Sequence, residues 1–311
     1  MLPPLSIAIN SFRRPRAFRH CMRSLVGQIR PDDEIVITDQ SGPENQLSEE
    51  WIRPNVRFFA RDNQGFGAMA NHNVWQARHE WVFVTNDDFE FPAGYIDSLR
   101  AAVALQPSDT LAVVGWIRNQ DGSFHYAGSR LRVMPMRIER VDLDPPMAPR
   151  EIDYFIGGLA CFNRRRFVEI GGFDARFFAY SEDDDLCLRA MKTGLRFVQH
   201  PDLCARAIDT YSKRRSGAAL RAVKIRNGSV VLWRHLNPGT QWIGSLRHFV
   251  ALTGSQPDIL WNVVQELVRS IALFRGFDGT LRVRLEPQWL RDVGVGLEMP
   301  DADAGSAPAT I

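Results

Sequence analysis

Apolar residues along this chain fall in short blocks that stop abruptly at asparagine or aspartate. Leu5-Ser-Ile-Ala-Ile9 stops at Asn10-Ser11, Glu34-Ile-Val-Ile-Thr38 at Asp39, Val56-Arg-Phe-Phe59 near Asp62-Asn63, and Trp81-Val-Phe-Val-Thr85 at Asn86-Asp87-Asp88. Continuous apolar blocks of this length, rich in β-branched and aromatic residues, predict strands buried on both faces. Between them, Ala17, Phe18, Cys21 and Leu25 recur at helical spacing within 17–26, and 66–78 reads as a second helix. Helices alternating with buried strands call for an α/β fold: a mostly parallel sheet, covered on both faces and joined by right-handed crossovers. In such sheets ligands collect beyond the carboxyl ends of the strands, where loops converge and helix N-termini present unpaired N–H groups. Asn10, Asp39, Asn63 and Asp87 therefore belong to one polar rim.

Beyond Thr110 the pattern is mixed. Leu111 to Trp116 predicts a strand, 126–139 a hairpin or extended segment, and 153–162 a strand broken by Gly157-Gly158. Glu182 to Thr193 predicts an amphipathic helix, with Ser181 as its N-cap and Gly194 closing it. The stretch 220–274 is largely helical in pattern, and from Pro300 small polar and acidic residues predict a frayed tail. Trp242, Phe249, Trp261 and Phe274 recur at helical spacing and are expected to pack on the main domain or make a dimer contact, with a membrane- or acceptor-facing helix as the second reading. No internal repeat is visible.

Composition narrows the classes. At 311 residues, with 45% apolar and 24% charged residues, the chain is long enough for a core that needs no disulfide or metal staple. A formal charge of +2 gives no bulk attraction to nucleic acid. Cys21, Cys161, Cys187 and Cys204 lack any C-x-x-C or zinc spacing and read as reduced, buried apolar residues. MLPPLSIAIN lacks the basic and long apolar parts of a signal peptide, and no apolar stretch reaches bilayer length, so a cytoplasmic protein is expected, with peripheral contact to the inner face of a membrane as the nearest variant.

Three constellations carry candidate chemistry. Asn86-Asp87-Asp88 follows a buried strand, which fixes the backbone and projects adjacent oxygens of the kind that hard divalent cations prefer; an Asx-rich turn is the plain alternative. Ser181-Glu182-Asp183-Asp184-Asp185 opens a helix, and acids there interact favourably with the helix dipole. Four consecutive acids exceed that need; at about 100° per residue two can face a cleft while the others stay solvated, and a held carboxylate can accept a proton from a hydroxyl. Gly157-Gly158 and Gly171-Gly172 allow close backbone approach but fit neither Walker nor dinucleotide spacing. Arg164-Arg165-Arg166 and Lys213-Arg214-Arg215 read as solvated faces.

In order and spacing, SIAINSFRRPRAFRHCMRSL, DEIVITDQSG, DNQGFGAMANHNVWQARHEWVFVTNDDFEFPAGYIDSL and GGLACFNRRRFVEIGGFDARFFAYSEDDDLCLRAMKTGLRFVQHPD together resemble the family 2 glycosyltransferases, especially rhamnosyltransferase-like members. The resemblance runs from about Leu5 to Asn237 and implies a GT-A fold, with a catalytic domain at 1–237, a helical extension at 238–299 and a flexible tail at 300–311. It implies inverting transfer of a sugar from a nucleotide-diphosphate sugar to an acceptor hydroxyl, assisted by Mg²⁺ or Mn²⁺. By position, Asp39 and the backbone of Asn10 to Phe12 would contact nucleobase and ribose, with Asn63 and Asn71 shaping that pocket. Asn86 and Asp88 would flank the metal-diphosphate, with Asp87 beside them; Asp183 would be the general base, and Glu182 would position acceptor or sugar. Two departures weaken metal ligation: Asn86 stands where the family has an acid, and no histidine follows Pro201-Asp202 within Leu203 to Asp209. A non-catalytic nucleotide-sugar-binding homologue is therefore the main competing reading. A sugar nucleotidyltransferase is a lesser one, because Asn10-Ser-Phe-Arg-Arg-Pro15 contains no glycine with which to cradle a triphosphate.

Overall fold

A computed structural model describes residues 2–42, 45–134, 137–208, 218–236 and 239–254. In chain order the elements are β1 (Leu5–Ser11), α1 (Pro15–Val26), β2 (Glu34–Asp39), β3 (Val56–Ala60), α2 (Phe66–Gln76), β4 (Trp81–Asn86), β5 (Phe89–Glu90), α3 (Tyr95–Ala104), β6 (Thr110–Arg118), β7 (Phe124–Tyr126), β8 (Ser129–Met134), β9 (Arg137–Asp142), β10 (Arg150–Ile152), β11 (Leu159–Asn163), α4 (Arg164–Glu169), α5 (Glu182–Lys192), β12 (Arg196–Ala207), α6 (Ala218–His235) and α7 (Gln241–Gly254). Most of the expected 238–299 extension, the 300–311 tail, Trp261, Phe274 and Lys213-Arg214-Arg215 lie outside the described residues, as do the side chains of Trp242 and Phe249. No helix among the described residues is long and apolar enough to cross a membrane.

The main sheet runs β10-β12-β6-β11-β4-β1-β2-β3. β1 is parallel to β2 and β4, and β2 to β3. These are the crossovers that the alternating pattern predicted, with α1 and α2 as connectors. β11 then runs antiparallel to both its neighbours, β4 and β6, and joins this half to the parallel pair β6 and β12. Side-chain alternation divides the core into two layers: Ile7, Ile9 and Phe83 pack on one face with Cys21, Met22 and Leu25 of α1, whereas Ala8, Val82 and Val84 pack on the other with Ala70 and Val74 of α2. All four cysteines are free thiols; three are buried and Cys204 is half-buried.

Several elements differ from expectation for physical reasons. The run 153–162 is a strand only from Leu159, because Gly157 and Gly158 belong to the turn before it. β12 is 12 residues long and was not legible, because Pro201-Asp202 interrupts its pattern; a register shift between Gln199 and Cys204 absorbs the proline. Arg164 is not a solvated residue: its guanidinium donates to the carbonyls of Val74 and Trp75 at the end of α2 (3.1 and 3.3 Å).

One buried ion pair anchors the start of the sheet. Arg100 on α3 is fully buried and forks onto Asp33 (2.9 and 2.7 Å), which also accepts the backbone N–H groups of Leu5 and Arg30. Burial alone would raise the Asp33 carboxyl, but these donors, Arg100 foremost, bring it below the usual carboxylate range. Arg100→Ala strands a buried carboxylate and is expected to cost about 3–5 kcal/mol, read as a lower urea midpoint at unchanged m-value.

Candidate functional site

β1 and β4 are parallel neighbours in register from Leu5↔Trp81 to Asn10↔Asn86, so their carboxyl ends deliver Asn10 and Asn86 side by side. The turn after β4 is tied back to β1, with the Asp87 N–H donating to the Asn10 carbonyl (3.0 Å) and the Phe12 N–H donating to Asp87 Oδ2 (3.4 Å). Asn73 on α2 completes the corner by donating to Asn10 Oδ1 (2.8 Å) and to the carbonyl of Ile9. Burial and the adjacent Asp88 charge push Asp87 up to about 7, against the pull of Arg14. Arg14, at the start of α1, donates to Asp88 Oδ2 and lies 3.9 Å from Asp87 Oδ1. The other Asp88 oxygen, Oδ1, is buried and has no hydrogen-bond partner. Such an oxygen suits a hard cation, as does the neighbouring Asn86 amide. Among the described residues no group of three His, Cys, Asp or Glu surrounds it.

The acidic helix faces the same space. Asp183 Oδ1 accepts the Gly157 N–H (3.1 Å), and Gly158 lies against Asn86, so the turn before β11 separates the two acidic loops by only its own thickness. A Cβ on Gly158 would sit 2.5 Å from Asn86 Nδ2, and one on Gly157 2.6 Å from Asp183 Oδ1. At both positions a side chain would collide with its neighbour, so only glycine fits this turn. Burial, then the Asp184 charge, pushes Asp183 up to about 7, while the Gly157 N–H and Arg140 pull it down. Glu182 is buried, is raised well above the carboxylate range by burial and by Asp183, and has an Oε2 with no hydrogen-bond partner. The expectation that the remaining acids stay solvated holds for neither. Asp184 is bound by Arg140, whose guanidinium stacks on Tyr154. Asp185 is buried; burial would raise it, but Arg189, His235 and Arg234 hold it far below the usual range. Ser181 occupies the N-cap position but makes no side-chain cap, and its backbone is left-handed.

One cavity of about 530 Å³ is lined by Asn10, Phe12, Asn63, Asn86, Asp87, Asp88, Glu182 and Asp183. Two expected residues are not among its walls. Asn71 is fully buried, and its amide is spent on the backbone N–H and carbonyl of Phe173 (2.9 and 2.7 Å), so it joins α2 to the loop after α4. Asp39 faces a second cavity of about 320 Å³ and fixes the turn after β2 by accepting from Ser41 N–H and Asn45. Arg14 lines both cavities. Arg14, Asn73, Asn119 and His125 were missed at the sequence level. Arg14 had a signal, a basic residue four positions after the strand-end Asn10; Asn119 and His125, hydrogen-bonded to each other (3.0 Å), had none.

The family model described as glycosyl transferase family 2 matches residues 6–173, and one described as the N-terminal domain of galactosyltransferase matches 137–213. An N-acetylglucosaminyl-diphospho-decaprenol L-rhamnosyltransferase of Mycobacterium tuberculosis is 30% identical over 179 residues, which are 48% of this chain and 57% of the relative. The match thus spans little more than half of that relative's length. An O-antigen biosynthesis protein, RfbC, of Myxococcus xanthus is 27% identical over 63% of this chain and 16% of its own. Among solved structures, GalNAc-T7 with UDP, GalNAc and Mn²⁺ superposes with a TM-score of 0.60 at 16% identity, covering 90% of this chain and 58% of that one. The Pyrobaculum calidifontis mannosyltransferase PcManGT, in complex with GDP-Man and Mn²⁺, gives 0.54 at 18% identity over 88% and 76%. The fold is the GT-A fold these neighbours share, and with more than half of its length matched by the family model, the chain belongs to glycosyl transferase family 2.

Proposed function

We propose that this chain transfers a hexosyl or deoxyhexosyl group from a nucleotide-diphosphate sugar to an acceptor hydroxyl with inversion at the anomeric carbon. The observation that carries the reading is that Asp88 and Asp183, on loops far apart in the chain, line one cavity. The named activity of the rhamnosyltransferase relative, and the nucleotides and Mn²⁺ held by the structural neighbours, support the same class of donor.

In this reading Asp183 accepts the acceptor's proton as its oxygen bonds to the anomeric carbon, and the nucleoside diphosphate leaves with the electron pair of the broken bond. Glu182, its carboxyl raised by burial and by the neighbouring Asp183, is placed to hydrogen-bond a sugar or acceptor hydroxyl. Arg14 places positive charge beside the Asp87-Asp88 corner where the diphosphate would lie. Asp88 Oδ1, with Asn86 beside it, would hold the divalent cation, which when bound supplies charge to the departing diphosphate. Asp39 would contact the nucleobase from the smaller cavity, with Arg14 at the junction. The acid at about 7 sets a sign for pH: the base must be ionised, so turnover should rise through about pH 7 rather than through the ordinary carboxylate range near pH 4. A rate already flat from pH 5 to 8 would remove Asp183 as the titrating base.

Asn86 and the Arg14-bound Asp88 favour one competitor, a homologue that binds nucleotide-sugar without turnover. A panel of UDP-, GDP- and dTDP-sugars with Mn²⁺, scored first by thermal stabilisation and then by donor hydrolysis, separates the two. Strong stabilisation without hydrolysis supports the binding protein.

A further inference from the structure

The loop that delivers Glu182 and Asp183 is strained. Phe178, Tyr180 and Ser181 all have positive φ (62°, 65° and 68°), although none is glycine. Phe178, at φ 62° and ψ −57°, is the centre of a γ-turn closed by Ala179 N–H to the Phe177 carbonyl (2.7 Å). Such a backbone is disfavoured for residues with a side chain and persists only where its surroundings over-determine it. On one side the loop is held by the start of α2, where Phe66 N–H donates to the Phe178 carbonyl (3.0 Å) and Gly65 leaves room for it: a Cβ there would lie 2.0 Å from that oxygen.

The other side is held by α6. Asn227 is fully buried, and its Nδ2 lies 2.8 Å from each of the carbonyls of Phe177, Ala179 and Tyr180. Its Oδ1 accepts from Arg226 Nε (2.8 Å), which fixes the orientation of the amide, and Arg226 Nη2 adds a fourth donor contact, to Phe177 (3.3 Å). Two amide hydrogens are thus shared over three carbonyls that the turn leaves without helical partners. The helix is pinned in turn by Arg234, which bridges Asp174 (2.8 Å) and Asp185 (3.0 Å), and by His235 on Asp185 (3.0 Å). This helix lies beyond both stretches matched by the family models.

We infer that Asn227, oriented by Arg226, is a positioning residue that holds the strained 177–181 loop so that Asp183 and Glu182 face the cavity. The role of Asp183 rests on the proposed function; the strap itself does not. α6, which falls within the expected 1–237 catalytic domain, therefore acts on the site through this loop, although none of its described side chains lines the cavity.

The test uses the full chain and four variants: Asn227→Ala, Ser181→Gly, their combination and Asp183→Asn. Hydrogen exchange without ligand reads the strap directly: Asn227→Ala should speed exchange of the Ala179 and Phe66 amides at least about tenfold relative to strand amides of β1 and β4. Hydrolysis of the donor selected by the nucleotide-sugar panel should fall roughly 10- to 100-fold in kcat, while affinity for UDP, GDP or dTDP stays within about twofold, because misplacement of a reacting group by about 1 Å costs on that order. Ser181→Gly removes the cost of one left-handed residue, so the combined variant should regain part of the lost kcat. Unchanged protection of both amides overturns the strap whatever the activity shows, as does full kcat in Asn227→Ala where Asp183→Asn is inactive. Full activity in Asp183→Asn with lost protection in Asn227→Ala would sink the base assignment and leave the strap standing. If Asn227→Ala does not fold, Asn227→Ser replaces it under the same criteria.

Discussion

Replacing Asp183 with asparagine is expected to lower turnover by about 10²-fold or more while leaving nucleoside-diphosphate affinity nearly unchanged. The change is isosteric: asparagine can still present an oxygen to the Gly157 N–H, so the turn before β11 keeps its partner. It also removes a charge from a crowded corner, since Asp184 and the raised Glu182 stand beside it, and the variant should fold at least as well as the parent. What it loses is the ability to accept a proton. A fall in kcat without a fall in stability or diphosphate binding is therefore the signature of a base, measured by donor turnover alongside calorimetry. Parent-like turnover would mean that another group takes the acceptor's proton, and the functional reading would lose its centre.

Asp88→Ala should weaken UDP, GDP or dTDP binding in Mn²⁺ by about 10- to 100-fold, on the order of 1.4–2.8 kcal/mol, with little change in EDTA. Two effects compete. Removing the carboxylate deletes the oxygen suited to the cation, but it also releases Arg14 toward the diphosphate. The released pair is partly exposed, with Arg14 at 27% and Asp88 at 12% side-chain exposure, so breaking it costs only on the order of 1 kcal/mol; the lost metal contact should win in Mn²⁺. The reciprocal variant gives the opposite sign for the ion itself. Arg14→Ala leaves Asp87 and Asp88 facing each other without a guanidinium, which should tighten Mn²⁺ binding to the free protein while lowering turnover. If Asp88→Ala weakens nucleotide binding equally in Mn²⁺ and EDTA, the carboxylate acts on Arg14 rather than on a cation.

Local pattern was sufficient for much of the fold. Strand bursts ending on Asn or Asp, with helices at 3.6-residue spacing between them, predicted the parallel half and placed Asn10, Asn63 and Asp87 at its carboxyl rim, because burial periodicity and strand direction are written residue by residue. The Glu182-Asp183 pair was legible for the same reason, as acids in excess of what a helix start requires. The rest depended on which segments meet. The antiparallel β11 that brings Gly157 between Asn86 and Asp183, the bulged β12, and the burial of Asp185 against α6 arise from contacts between distant segments, for which a strand's own residues carry no code.

The chain's own order of residues determined the family, through motifs in a fixed order, and the parallel half of the sheet and the two acidic loops, through spacing over a few neighbouring positions. Tertiary structure alone decided that the Asn71 amide is bonded to Phe173, that Arg14 sits on Asp88, and that Asn227 donates to the loop before Asp183. Hydrogen-bond partners and burial are properties of a site assembled from several elements, and only the closed fold brings those elements into contact.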